Sequence, residues 1–190
     1  DCKDAGLDVF GWNFPNIKLL TAFETARAEL KNLETSALAL ASIERAAGGW
    51  LLTLSNGSTL VTPLVVGSDG KKSLVRVATD FRAREHGFTQ SALVCDLELG
   101  RPLGGTSVEF HYEQGPFTLV PAGGSRANLV WIDDRDGVKQ AQASGAAGLR
   151  ETFLIKSKRL FGDINLLTPA HMFLLSTLAV TKAGMDGIVL

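Results

Sequence analysis

Near the start of the chain, apolar residues recur every three or four positions: Leu19, Leu20, Phe23, Ala26 and Leu30. This is the period of one face of an α-helix. It predicts a helix over residues 16–30, and Asn16 has the side chain of an N-cap, which can accept a hydrogen bond from the first turn. Residues 36–45 are predicted to form short strand-like pieces.

A hairpin is predicted where two short apolar runs, residues 50–54 and 58–62, flank Asn56-Gly57. Asn-Gly is typical of the type I′ turn, whose central residues both need a positive φ. The next apolar run, residues 64–66, predicts a buried strand. It ends in a Gly-Ser-Asp-Gly turn, and a helix is predicted to begin near Ser73.

From about residue 88 to 132 the pattern becomes that of a strand meander with glycine, proline and charged turns. The predicted strands are residues 91–99, 106–112, 117–121 and 127–132. Residues 137–160 predict a helix, and residues 172–175 and 188–190 predict extended chain. An exposed edge strand at residues 188–190 would favour self-association into a homo-oligomer.

These elements predict an α+β protein with a two-part organisation. Residues 1–82 mix a helix, a hairpin and a buried strand that ends in a glycine turn. Residues 83–170 form an antiparallel sheet with helices, and residues 171–190 return to the first part.

Composition and charge exclude several classes of protein. The 190 residues, 45% of them hydrophobic, can bury the core of one domain or two small ones. With 19 basic and 20 acidic residues, no strong field attracts nucleic acid. No apolar run reaches the roughly 18 residues that span a bilayer. Two distant cysteines, Cys2 and Cys95, make no disulfide framework, which favours a reducing cytoplasm.

Few side chains stand out as catalytic. The three histidines, His86, His111 and His171, are widely spaced and belong to no visible triad or metal set, so we expect structural or surface positions for them. The GxSxG, HExxH, CxxC and GxGxxG motifs do not occur. The sequence therefore predicts neither a catalytic side chain nor a metal site.

The turn at residues 67–70 is the candidate binding element. Its glycines, Gly67 and Gly70, would let the backbone approach a ligand closely, and Asp69 can accept hydrogen bonds from hydroxyls or ordered water near a pyrophosphate. The residues that follow add positive charge. An ordinary strand–turn–helix junction explains the same spacing, so both interpretations stay open.

Several stretches together resemble one enzyme family. Residues 67–76, GSDGKKSLVR, resemble the motif G-A-D-G-x-x-S-x-x-R of class A flavoprotein monooxygenases. Residues 10–19, FGWNFPNIKL, resemble F-G-Y-N-I-x-N-R-x-L of the ubiquinone-biosynthesis hydroxylases. Further similar stretches follow in that family's order, namely QSALV at 90–94, RP at 101–102, GPFTLVP at 115–121 and LVW at 129–131. The chain thus resembles the FAD-dependent hydroxylases related to 2-polyprenyl-6-methoxyphenol hydroxylase.

The resemblance implies a fold like that of p-hydroxybenzoate hydroxylase, with part of an FAD-binding α/β domain (1–82 and 171–190) and a substrate-binding antiparallel sheet (83–170). It implies FAD as cofactor and NAD(P)H as reductant, with FAD carrying the oxygen chemistry. Asp69 and Gly70 would lie by the pyrophosphate and ribose, and Asn16 near the cofactor. The sheet from Gln90 to Trp131 would present apolar side chains to a small apolar aromatic substrate, a prenylated phenol.

The family's amino-terminal G-x-G-x-x-G and its carboxy-terminal G-D-A-A-H do not occur here, so we expect a central section truncated at both ends that holds FAD weakly and is inactive alone. Three single residues also depart from the family's pattern. Lys71 replaces the usual arginine, Leu174 stands where the family commonly has proline, and Gly187 lies near a usual arginine. A cytoplasmic protein with peripheral association at the membrane surface is expected. Two alternatives stay open: a flavoprotein acting on another apolar substrate, and a non-catalytic lipid-binding or subunit-docking module.

Overall fold

The computed structural model describes residues 2–190, which form two compact units. One, the sheet unit, contains residues 2–30 and Gly87–Leu175; the other, the glycine-turn unit, contains Lys31–His86 and Ser176–Leu190. The structure thus groups residues 2–30 with the sheet, whereas the sequence grouped them with residues 31–82. The cofactor-binding and substrate-binding roles given to these ranges stay predictions.

The helices and strands follow one another as a short 3-10 turn at Lys3–Ala5, then α1 Asn16–Glu29, β1 Leu40–Ala46, β2 Gly49–Leu54, β3 Thr59–Thr62, β4 Val65–Val66, α2 Leu74–Ala78, β5 Ala83–Leu99, β6 Val108–Tyr112, β7 Gly115–Pro121, β8 Arg126–Asp134, α3 Arg135–Ala143, α4 Gly145–Lys156, β9 Ile164–Leu166, β10 His171–Val180, β11 Gly184–Met185 and β12 Ile188–Val189.

The main sheet has the strand order β10-β5-β8-β7-β6, with β9 paired to the end of β5. The predicted strands are present, but the predicted meander is only partly right. Strands β6, β7 and β8 follow one another as antiparallel neighbours, whereas β5 pairs with β8. Alternation along a strand specifies which residues are buried, but it does not specify which strand lies alongside.

The core of the sheet unit lies between this sheet and helices α3 and α4. Leu93, Phe117 and Leu129 from the strands and Phe153 from α4 are fully buried within it. Each such side chain contributes about 1.5–3 kcal/mol when it leaves water. The single helix predicted over residues 137–160 is wrong, because Ser144 ends α3 and Gly145, at φ 69°, starts α4.

The glycine-turn unit contains two three-stranded sheets, β1-β2-β3 and β11-β12-β4. The predicted hairpin is confirmed as β2 and β3, but its turn is not type I′, because Asn56 has no positive φ and only Gly57 does, at 83°. The Gly57 N–H donates to Leu54 O, and Leu54 N–H donates to Ser58 O. This is the longer loop in which a turn is followed by a left-handed glycine.

Strands β12 and β4 of this unit differ from their predictions as an exposed edge strand and a buried strand. Strand β12 pairs in parallel with β4, joining Ile188 to Val65 and Val189 to Val66, and it also pairs with β11. Ile188 is therefore buried inside a sheet, and the predicted exposed edge at residues 188–190 is wrong. Of residues 64–66, predicted as a buried strand, only Val65 is buried, because Leu64 and Val66 are exposed to solvent.

Helix α1 matches its predicted range, but Asn16 is its first residue and not its N-cap. Pro15 occupies the N-cap position, where proline has no side-chain oxygen to offer. No side chain of this helix is buried. Asn16 is therefore left with its amide available at the helix start.

Candidate functional site

The junction between β4 and α2 is built by hydrogen bonds to the first turn of that helix. Asp69 Oδ2 accepts from the N–H of Leu74 at 2.7 Å and from the N–H of Val75 at 3.3 Å. Ser73 is the N-cap, and its Oγ accepts from the N–H of Arg76 at 2.9 Å. Asp69 and Ser73 thus bind donors that every helix start leaves without an intrahelical partner.

These contacts stabilise the charged form of Asp69. Burial acts to raise the pKa of its carboxyl, but the hydrogen bonds from the Ser73 side chain and from the N–H groups of Val75 and Leu74 outweigh burial, so the pKa lies below its ordinary value. One carboxylate oxygen is committed to the helix. Asp69 therefore has a structural role in the fold, whatever ligand its other oxygen meets.

The two glycines of the turn differ in what they allow. A Cβ on Gly67 would lie 2.9 Å from Leu190 Cδ2 and 3.0 Å from Val75 Cβ, so Gly67 serves close packing inside the unit. Gly70 has φ 79° and open space around the Cβ position. Its backbone is therefore the one that a ligand can approach.

Gly70 opens on a cavity of about 370 Å³ within the glycine-turn unit. Its wall combines backbone, a hydroxyl and a cation with apolar side chains, and consists of Gly67, Ser68, Gly70, Ser73, Arg76, Leu178, Val180 and Leu190. Arg76 is held in place because its Nη2 donates to Lys71 O at 2.7 Å. Lys71 in turn pairs with Glu85 at 2.8 Å.

The residues around Gly70 suit the phosphate-bearing part of a cofactor. An open glycine backbone and the Arg76 guanidinium are what a phosphate needs, and Asp69 can accept from a sugar hydroxyl. An aromatic ring system would find little beyond Leu178, Val180 and Leu190. The cavity therefore fits a pyrophosphate and ribose better than it fits an isoalloxazine.

Asn16, the third predicted site residue, lies in the sheet unit and not in this cavity. It lines a separate pocket of about 760 Å³, together with Phe14, Pro15, Asp96, Ala122, Arg126, Ala127, Asn128, Leu167 and Thr168. The Asn128 amide donates to Asp96 Oδ1, and Asp96 N–H donates to Thr168 Oγ1 at 2.8 Å. No local pattern marks these polar residues, because they come together from distant segments.

The sheet has one face under the helices and one open face, and the open face is the one available to a ligand. The large apolar residues between Gln90 and Trp131, such as Phe117 and Trp131 itself, are buried on the helix side. The open face carries smaller, partly exposed side chains in adjacent strands: Val94, Thr118, Val120, Val130 and Ile132. Phe117 and Trp131 thus belong to the core and not to a surface that a substrate could contact.

The Cys95 thiol and the metal-ligating side chains form no further site in the described part of the chain. Burial raises the pKa of the Cys95 thiol to about 12, which makes it an inert core residue. No group of three or more metal-ligating side chains occurs among residues 2–190. Within the same residues, no helix has both the length and the apolar character needed to cross a bilayer.

Curated proteins related in sequence include hydroxylases and a monooxygenase named for ubiquinone or its biosynthesis. The chain is 36% identical over 124 residues to the ubiquinone hydroxylase UbiL of Rhodospirillum rubrum, in an alignment that covers 65% of this chain and 28% of that protein. It is 36% identical over 81 residues to the mouse mitochondrial ubiquinone biosynthesis monooxygenase COQ6, in an alignment that covers 42% of this chain and 17% of that protein. It is 26% identical over 99 residues to the 3-demethoxyubiquinol 3-hydroxylase of Escherichia coli, in an alignment that covers 52% of this chain and 25% of that protein. The chain thus spans less than a third of the length of each of these relatives.

Solved structures with a similar fold include flavin-dependent enzymes. The flavin-dependent brominase Bmp2 superposes with a TM-score of 0.74 at 10% identity, covering 94% of this chain and 48% of that one. The flavin-dependent halogenase CmlS superposes with a TM-score of 0.68 at 15% identity, covering 90% of this chain and 33% of that one. No family model matches the sequence.

Proposed function

Because this chain is homologous to the ubiquinone-biosynthesis hydroxylases and has the fold of flavin-dependent monooxygenases and halogenases, we propose that it is part of an FAD-dependent monooxygenase. Its substrate is a polyprenylated phenol of the ubiquinone pathway. FAD, when bound, supplies the activation of oxygen. The chain's own residues hold the cofactor and orient the aromatic ring.

In this proposal the glycine-turn unit holds the phosphate-bearing part of FAD. Gly70 brings its backbone close to the pyrophosphate, and the guanidinium of Arg76 neutralises charge there. Asp69 accepts from a ribose hydroxyl with the oxygen that α2 does not use. Asn16 donates its free amide to the cofactor from the start of α1, and NAD(P)H is the reductant.

The open face of the sheet receives the substrate. Val94, Val130 and Ile132 are half-buried and offer a shallow apolar surface on which an aromatic ring can lie. Contact with this surface excludes water from the ring. The enzyme is cytoplasmic and meets its prenylated substrate at the membrane surface.

The observation that carries the cofactor assignment is the open, left-handed Gly70 beside Arg76 in one cavity. A flavoprotein acting on another apolar substrate would use the same cavity. A non-catalytic lipid-binding or subunit-docking module would need no phosphate-binding glycine, and the named relatives do not favour it.

Titration of FAD into the purified chain, followed by flavin fluorescence, tests this assignment. We expect Asp69→Ala and Arg76→Ala each to weaken FAD binding by about tenfold or more, since one charged contact contributes about 1.5–3 kcal/mol. Asp134→Ala is the control, because it removes the carboxylate N-cap of α3, which lies outside the Gly70 cavity. Equal losses in all three variants, or FAD binding unchanged by any of them, would place the cofactor elsewhere.

A further inference from the structure

Three side chains form a polar group on the open face of the sheet at its β6 edge. Thr118 Oγ1 donates to Glu109 Oε2 at 3.0 Å, and Nε2 of His111 lies 3.2 Å from Glu109 Oε1. Glu109 is thus fixed from one side and placed beside the imidazole on the other. The side chain of His111 is 82% exposed, so its ring can meet a ligand.

The strand register continues this polar group into the apolar surface. One row across the sheet runs from Glu109 to Thr118, Val130 and Val94, and the next runs from His111 to Pro116. Along β8 the position after Trp131 is Ile132, which pairs with Ala92. Each row therefore has hydrogen-bonding groups at β6 and apolar side chains at β8 and β5.

The spacing suits a phenol. Neighbouring strands lie about 4.8 Å apart, so β6 is roughly 10 Å from β8. A substituted benzene ring on Val130 and Ile132 spans most of that distance. Its hydroxyl would then lie over β7, where the neighbouring residues are Pro116 and Thr118, within reach of His111.

We propose that His111 takes the proton of the substrate's phenolic hydroxyl and that Glu109 positions and stabilises the resulting imidazolium. The inference rests on the proposed function, since it names how that substrate is bound and ionised. The O–H bond of the phenol breaks, its electron pair stays on oxygen, and the proton joins Nδ1 of His111. A phenolate ring is richer in electrons than a phenol, which favours attack on an electrophilic oxygen.

The proton then leaves to solvent, because His111 is exposed. No other titratable group faces it from the neighbouring strand, where the open-face residues of β7 are Pro116, Thr118 and Val120. On β6 itself the group that faces it is Glu109, and the carboxylate of Glu113 follows two residues beyond His111, in the turn after the strand. Strand β6 is last in the sheet order, so no further described strand lies beyond it.

The test uses an alkyl-substituted 4-nitrophenol as the probe and needs no flavin. Nitrophenolate absorbs at a longer wavelength than nitrophenol, so the pH midpoint of ionisation of the bound probe is read from its spectrum. We expect binding to the chain to lower that midpoint by about one pH unit, the size typical of one nearby opposite charge. His111→Phe should abolish the shift, Glu109→Gln should reduce it, and Glu109→Asp should restore part of it.

Glu98→Gln is the matched control, because Glu98 is an exposed carboxylate on β5 opposite Arg126, far from β6 in the sheet, and should leave the midpoint unchanged. Ile132→Asp should abolish binding of the probe. A midpoint that is the same in all the histidine and glutamate variants would overturn the proposal, and so would a probe that fails to bind. The FAD titration reports separately on the proposed function, because neither His111 nor Glu109 lines the Gly70 cavity.

Discussion

At the scale of single residues, Lys156 and Asp133 form an ion pair at 2.9 Å whose side chains are 19% and 18% exposed. Trp131 Nε1 also donates to Asp133, and the Lys156 ammonium lies over the rings of Tyr112 and Trp131. A pair with this little water around it is costly to break, since the remaining charge stays desolvated. The contact ties the last turn of α4 to β6 and β8.

Replacing Lys156 with methionine should lower the free energy of unfolding by about 2 kcal/mol, because Asp133 loses its counter-charge while still partly buried. Arg159→Met is the control. Arg159 pairs with Glu151, but both side chains are more than half exposed, so a change of at most about 0.5 kcal/mol is expected. Urea denaturation measures both, and equal effects would contradict the account.

The same pair predicts a pH dependence. Burial acts to raise the pKa of Asp133, but hydrogen bonds from Lys156, Asp134 N–H and Trp131, with the charge of Lys156, hold it below the ordinary 3.8. A depressed carboxyl pKa adds stability that is fully present above 3.8 and is lost as the pH falls through the lower folded value. The difference between wild type and Lys156→Met should therefore shrink in that acid range.

Residue-scale features were predictable only where they are local. The Gly67–Gly70 turn was predicted from residues that are adjacent in the sequence, and the structure places it between β4 and α2. The Asp133–Lys156 pair and the Glu109–Thr118 contact join separate elements, so they depend on register and on where α4 ends. The same is true of Asn16, whose pocket includes Asp96 and Thr168.

At the scale of elements, hydrophobic period specified most helices and strands, but it did not find the break between α3 and α4. The break falls at Ser144-Gly145, a dipeptide typical of a turn, but the alanines on both sides of it continued the helical pattern. Gly145 adopts φ 69° there, a conformation that glycine reaches without strain. Likewise, the β5–β8 pairing is non-local and leaves no mark in the sequence of either strand.

Two glycine substitutions in these helices should have opposite signs. Gly145→Ala should destabilise the protein by about 1 kcal/mol, because alanine is strained in the left-handed region. Gly137 lies within α3, has no positive φ, and has only an ordinary contact near its Cβ position, so Gly137→Ala should stabilise by up to about 1 kcal/mol. Thermal unfolding checks the pair, and a stabilising Gly145→Ala would disprove the break.

At the scale of the whole molecule, the α+β class and an antiparallel sheet with helices followed from the pattern, and the resemblance to the ubiquinone-biosynthesis hydroxylases followed from motifs spread along the chain. The grouping of residues 2–30 with the sheet did not, since nothing in a solvent-exposed helix indicates its neighbour. The roles of the two units, one for the cofactor and one for the substrate, remain proposals.

The most direct measurement incubates the protein, in the full length that its gene encodes, with FAD, NAD(P)H, a prenylated phenol and isotopically labelled dioxygen. Mass spectrometry of the phenol then reports the reaction. The account predicts a product that has gained one labelled oxygen atom, with less product from Asp69→Ala. A phenol recovered unchanged from a protein that has bound FAD, or an added oxygen that comes from water, would contradict it.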